Sequence, residues 1–381
     1  MGMTPRERML AAYRNQQADR VPVSPELWDA TALAVAGRPF HELMGPFAQV
    51  PWWQTHLAAF EYFGADAWIV CGLGSSPEQR EMESSTSRFV DDETVQTDIT
   101  YRTPQGTLQA VARTTPYYAD WLIGHPVQRF PEDMDAYAAY FFAEDGQGDL
   151  SGIREALAGV GEKGLVTPMV GELFTSFLGG VREGGMAQTA LDLVDHPHYC
   201  RALQQRFIAD IAARTRRILQ DTDAQAIFVN SNYSGPPIVS PRIYHEWDAP
   251  VLAAVVSVAR EFGALVHLHQ HGRLLAVLDD IVAAGVSLVC PLLEPPQGDV
   301  ADLAALKRRY GRRIALKGNV DPIGVLLHGT TQDVEAAVRR CIDAAAEGGG
   351  YILGTADSTV VGTPFANIAA FVEAGLKYGG Y

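Results

Sequence analysis

Apolar positions along this chain recur in one phrase: a short β-branched run, a loop, then a longer amphipathic stretch. The runs that read as strands are Val21–Glu26, Ala67–Gly72, Leu165–Glu172, Ala226–Asn232, Leu265–His271, Ser287–Leu293, Ile314–Asn319 and Tyr351–Thr355. Between them lie stretches rich in Ala, Leu, Arg and Glu that read as helices. Examples are Pro51–Phe63, Tyr199–Leu219, Ile243–Glu261, Val300–Tyr310, Asp333–Ala346 and Pro364–Lys377. Strands alternating with helices, without a long polar linker, predict an α/β fold of the (β/α)8 TIM-barrel type. An N-terminal helical extension precedes the first strand. No shift in composition marks a second domain, so residues 1–381 are expected to form one barrel domain.

One segment departs from this rhythm. Arg88–Arg113 holds two alternating runs, Thr94–Arg102 and Thr107–Arg113, joined by Thr103-Pro104-Gln105-Gly106. Pro followed by Gly between alternating runs signals a hairpin. The expectation is a β-excursion (residues 88–113) on the loop after the second strand, near the mouth of the barrel. It reads either as a lid or as a decorative insertion.

Composition narrows the function classes. Of 381 residues 47% are hydrophobic, enough for a large core; 20% are charged, with a net charge of −15. That balance argues against nucleic-acid and anionic-membrane partners, which require a basic footprint. No apolar run approaches the roughly 20 residues of a bilayer span. The start, Met1-Gly2-Met3-Thr4-Pro5-Arg6, has no signal-peptide core, so a cytoplasmic location is the expectation. Cys71, Cys200, Cys290 and Cys341 are scattered and read as reduced thiols. Helix faces such as Val251–Val258 leave room for an apolar homodimer surface.

The strongest chemical signal is Val266-His267-Leu268-His269-Gln270-His271-Gly272. Alternation on a strand places all three imidazoles on one face, and the last two can reach a common point. His269 and His271 therefore read as metal ligands, imidazole being suited to zinc and its neighbours. His267 lies one layer deeper and reads as a supporting partner or a satisfied core histidine. No cysteine adjoins the histidines in sequence. The donor set is thus nitrogen and oxygen, unless Cys290 folds in from a neighbouring strand.

In an α/β barrel, reactive groups collect at the C-terminal ends of the strands. Those ends carry Glu26 and Trp28; Glu172; Asn230 and Tyr233; His269 and His271; Glu294; Lys317 and Asp321; and Asp357. Bland alternatives exist for several. Asp357 and Asp321 suit helix caps, Glu294 suits a rim carboxylate, and Lys317 would neutralise an acidic mouth.

Beyond these residues the chain resembles a known family. Thr4-Pro5-Arg6-Glu7-Arg8-Met9-Leu10-Ala11-Ala12 and Asp19-Arg20-Val21-Pro22-Val23 look like the start of uroporphyrinogen-decarboxylase-like proteins. The likeness continues through Ser240-Pro241, Gly298-Asp299, Gly318-Asn319-Val320-Asp321-Pro322 and Gly362-Thr363-Pro364. The resemblance implies an α/β barrel and one of two activities. One is metal-free decarboxylation of uroporphyrinogen acetate groups. The other is zinc-dependent methyl transfer between small substrates or thiols and a corrinoid protein.

Two departures separate these branches. The decarboxylases carry arginines after the first strand to grip substrate carboxylates. Here that loop is Glu26-Leu27-Trp28-Asp29-Ala30-Thr31, without Arg until Arg38. The zinc methyltransferases carry His-x-Cys-Gly on the fifth strand and a further Cys after the eighth. His269-Gln270-His271-Gly272 resembles the first motif with His for Cys, and the second Cys position falls on Asp357. A further departure is Asn230, where many relatives carry Asp.

By resemblance the metal ligands are then His269, His271 and Asp357, with Glu172 as a fourth ligand or substrate-displaced group. Glu172, Asp357 and Glu26 are the catalytic candidates; Trp28, Asn230, Tyr233, Glu294 and Lys317 are the substrate-binding ones. A His–His–Asp set is harder than one with thiolates, and better polarises an ether, phenolic or amine centre. The favoured reading is demethylation of a small O- or N-methylated substrate, with zinc as cofactor and a corrinoid on a partner protein as methyl carrier. The runner-up is a metal-free decarboxylase or lyase of a small acid, with Asp357 or Glu172 handling the proton. A barrel that binds a ligand or corrinoid partner without turnover is the third reading. Gly348-Gly349-Gly350 lies at the wrong end of the last strand for a phosphate cradle.

Overall fold

A computed structural model describes residues 2–143 and 148–381. The first helix, Pro5–Tyr13, starts where Thr4 caps it: its hydroxyl accepts from Glu7 N, and the Glu7 carboxylate accepts from Thr4 N. This is the expected N-terminal extension. β1 (Ala67–Gly72) follows, and the chain then leaves the main sheet. β2 (Glu83–Asp91), β3 (Thr94–Thr103), β4 (Gly106–Thr115) and β5 (Tyr118–Gly124) form a separate antiparallel sheet of four strands. The hairpin expected from sequence is its centre, with Thr103 paired to Gly106 across the turn. Val95, Tyr101, Leu108, Ala110 and Ala112 bury one face, and the Tyr101 ring packs against Tyr137 and Tyr140 of the helix Glu132–Phe141.

The chain returns through β6 (Gly164–Glu172), β7 (Ala226–Ser231), β8 (Leu265–Gln270), β9 (Leu288–Cys290), β10 (Ala315–Val320) and β11 (Tyr351–Thr355). With β1 these make a seven-stranded parallel sheet in the order β1-β6-β7-β8-β9-β10-β11. Alternation along the strands divides the core. Ile227, Val229, Val266, Leu268, Val289, Leu316 and Leu353 pack in the layer shared with the helices. Ala226, Phe228, Leu288, Cys290, Ala315 and Ile352 belong to a second cluster with Trp68 and Tyr13. The covering helices show why they form. In Thr331–Ala345 the buried residues Val334, Ala337, Val338, Cys341, Ile342 and Ala345 fall at helical spacing, behind a Thr330–Asp333 capping box.

The expected first strand, Val21–Glu26, does not form. Val23 makes one isolated bridge to Leu353, and the segment spans the gap between the two edge strands. Ser24 N donates to Leu353 O, Leu353 N to Pro22 O, and Asp66 N to Val23 O. Pro22 and Pro25 have no N–H, so a ladder cannot extend through them. Asp66 ties down this segment by accepting from Val23 N, Arg8 and Arg20.

The proposed dimer face is also corrected. Val251, Leu252, Val255, Val256 and Val258 are all buried in the core, because the helix Ala249–Glu261 packs there against Pro197–Asp221 and β8. Among the described residues, no helix is long and apolar enough to cross a membrane.

Candidate metal centre

Strand register assembles the site. β7, β8 and β9 are parallel neighbours in which Asn230 aligns with His269 and His269 with Cys290; on the other side Glu172 aligns with Asn230. Residues in register on adjacent parallel strands face the same way, so one inward row carries Glu172, Asn230, His269 and Cys290. The chain turns sharply after His271 because Gly272 adopts φ +82°. A Cβ there would meet Pro236 O at 2.1 Å.

Within this row His269 Nε2 lies 2.7 Å from His271 Nε2, and His271 Nε2 lies 3.8 Å from Asp357 Oδ2. Donor atoms of His269, His271 and Asp357 all fall within 4.8 Å of one another. Two ligands on a zinc at its usual ~2.0–2.1 Å bond length stand farther apart than these two nitrogens, so the rings must part slightly to admit it. The set otherwise offers what the ion needs: two imidazoles, one carboxylate and an open side. Burial pushes the His269 pKa down to about 3, with His271 adding to the effect, which keeps its lone pair free at neutral pH. Burial raises the Asp357 carboxyl, while His271 opposes the rise. Asp357 does not cap the last helix; its Oδ1 accepts from Ser358 N at 2.7 Å.

Cys290 does fold in from the neighbouring strand. Its Sγ lies 3.2 Å from His269 Nδ1 and 3.0 Å from His267 Nε2. His267 is fully buried, its Nδ1 2.7 Å from the Tyr13 hydroxyl, with Trp68 and Phe228 against its ring. It lies one layer below the site, where its place on the strand put it.

The other candidates separate. Glu172 accepts from Asn230 Nδ2 at 2.8 Å, and burial raises its pKa against that hydrogen bond. Trp28 meets His56 and Trp68 edge-on beside the Glu26 loop. Tyr233 is exposed near the mouth. Lys317 does not sit at the rim: it and Glu26 are both fully buried and paired at 2.7 Å, with the ammonium 4.7 Å from the centre of the Trp68 ring. Burial would raise Glu26, but Lys317 prevails and lowers it. Glu294 does not join the cluster. It accepts from Asn319 Nδ2 and lines a separate cavity of about 220 Å³ with Asp321, Arg340 and Cys341. Asp321 acts as the expected cap, accepting from Ile323 N.

Sequence reasoning missed Tyr118. Half-exposed on β5, it has its pKa raised by burial and by Tyr233, Glu172, Asp29 and Asp357, so this end of the four-stranded sheet lies near the mouth. Nothing local to Tyr118 signals this.

A comparison with family models matches residues 126–378 to the description "Uroporphyrinogen decarboxylase (URO-D)". The chain belongs to the URO-D family. Among curated relatives, the methylcobamide:CoM methyltransferase MtbA of Methanosarcina mazei is 26% identical over 268 residues, covering 68% of this chain and 71% of that protein. A chloroplastic uroporphyrinogen decarboxylase of Nicotiana tabacum is 28% identical over 229 residues, 58% of this chain and 54% of its own length. Among solved structures, a methyltransferase from Methanosarcina mazei superposes with TM-score 0.66 at 17% identity, covering 99% of each chain. The α/β architecture is therefore that of this superfamily, and both of its branches are represented among the relatives.

Proposed function

We propose that this protein is a zinc-dependent methyltransferase that takes the methyl group of a small O- or N-methylated compound and passes it to a corrinoid held by a partner protein. The supporting observation is the convergence of His269, His271 and Asp357 at the mouth. These three residues would hold zinc, which supplies a Lewis acid for the oxygen or nitrogen that bears the methyl group. Trp28 and Tyr233 flank the substrate. Glu172 keeps its proton to higher pH than an exposed carboxyl and is oriented by Asn230. It gives that proton to the oxygen or nitrogen as the methyl group departs to the nucleophilic acceptor. Glu26 and Lys317 form a rigid charged floor rather than reacting groups. The whole chain acts as one domain, and the four-stranded sheet serves as lid.

Metal analysis of zinc-supplemented protein, with a methyl-transfer assay to reduced corrinoid, tests this. Stoichiometric zinc that is lost in His269→Ala is expected. A wild type without stoichiometric metal would overturn the zinc reading. A metal-free decarboxylase of a small carboxylic acid is the second reading. It is favoured by the raised carboxyls of Glu172 and Asp357, and its mark is carbon dioxide release by chelator-treated enzyme.

A further inference from the structure

His269 presents two edges, the outer one facing His271 and Asp357. On the inner edge, Nδ1 faces the Cys290 sulfur at 3.2 Å, and Glu26 completes a second group of donors within 4.8 Å of one another. All three residues are buried. One oxygen of Glu26 is held by Lys317, whereas Oε2 is buried with no hydrogen bond of normal geometry, the Cys290 thiol being the donor that approaches this carboxylate. A buried carboxylate oxygen left in that state costs free energy unless a cation or donor meets it. His267 Nε2 stands 3.0 Å from the same sulfur.

We propose that Glu26, His269 and Cys290 form a second metal position, selective for a thiophilic divalent ion. It goes beyond the outer position, with which it shares only the His269 ring, through the opposite nitrogen. Oxygen, nitrogen and sulfur together suit zinc or cobalt, whereas the outer set lacks sulfur. On binding, the metal–sulfur bond replaces the S–H bond and the thiol proton leaves to solvent; with the outer position also filled, His269 bridges as an imidazolate and its ring proton leaves as well. Lys317 stays paired to Glu26 Oε1 and offsets part of the negative charge of carboxylate plus thiolate.

Cobalt(II) added to the purified full-length apoprotein tests this, because a sulfur ligand produces a near-ultraviolet charge-transfer band that nitrogen and oxygen ligands do not. The band is expected in the wild type, absent in Cys290→Ser, and kept in the double variant His271→Ala with Asp357→Asn. Thermal melts check each fold. If Cys290→Ser does not fold, the protein with Cys71, Cys200 and Cys341 all changed to Ala must keep the band. Cobalt bound without the band, a band surviving Cys290→Ser, or no cobalt bound at all would overturn the inner position. Cobalt bound without the band and released by the outer double variant would leave the outer reading intact. Metal content and band both unchanged in that double variant would sink the outer reading and support the inner one.

Discussion

His269 Nε2 and His271 Nε2 approach to 2.7 Å across the end of β8, close enough for one proton to lie between them. Burial and the second imidazole hold His269 neutral, so its ring carries a lone pair for a metal. His271→Ala should therefore weaken zinc roughly tenfold or more, and Asp357→Asn should do likewise without unfolding the chain. Competition with a chromophoric chelator measures both. Wild-type affinity in both variants would remove these residues from the ligand set.

Lys317 and Glu26 form an ion pair with no exposure. Removing one partner strands a buried charge, which costs about 3–5 kcal/mol. Lys317→Met should lower unfolding stability in urea by that order. Adding Glu26→Gln should recover part of it, so that the double variant falls short of the sum of the singles.

Two buried groups away from the metal centre give opposite pH slopes. Burial lowers His56 to about 3, so between there and pH 6.5 the unfolded chain binds the extra proton and stability is lost as pH falls. Burial raises Asp248 to about 7 despite hydrogen bonds from Thr175, so from 3.8 to 7 the folded chain binds the extra proton and stability is lost as pH rises. Each effect is worth about 2 kcal/mol between pH 5 and 7, with opposite sign. Urea unfolding at both pH values should show His56→Leu gaining relative stability at pH 5 and Asp248→Asn losing it. Parallel profiles for the variants and wild type would contradict this.

Tyr118, half-exposed on the four-stranded sheet, lies within electrostatic reach of Glu172 and Asp357. If that sheet closes over the substrate, Tyr118→Ala removes an aromatic contact worth about 0.5–1.5 kcal/mol. KM should rise about two- to tenfold with kcat nearly unchanged. A loss confined to kcat would argue against a lid.

Much of the site was legible in local pattern. Period-two alternation fixed the common face of His267, His269 and His271, and the strand ends named Glu172, Asn230 and Asp357. Element positions were legible too: β1 and β11 match their expected bounds, and Leu265–His271 overshoots β8 by one residue. Errors arose where a strand signal met missing donors, as at Pro22 and Pro25. They also arose where a strand end was assumed to face the mouth. Glu294 follows β9, whose ladder stops at Cys290, and the chain beyond it carries this carboxylate to another cavity.

The sequence alone determined the alternating α/β elements, the shared face of the histidines and the likeness to the URO-D family. Each of these is a matter of local period or ordered motifs, readable without knowing which segments touch. Tertiary structure decided that Cys290 aligns with His269, that Lys317 is buried against Glu26, and that the gap between β11 and β1 is spanned by a proline-bounded segment. Those facts depend on register between strands distant in sequence, where a shift of one residue would turn every side chain to the opposite face.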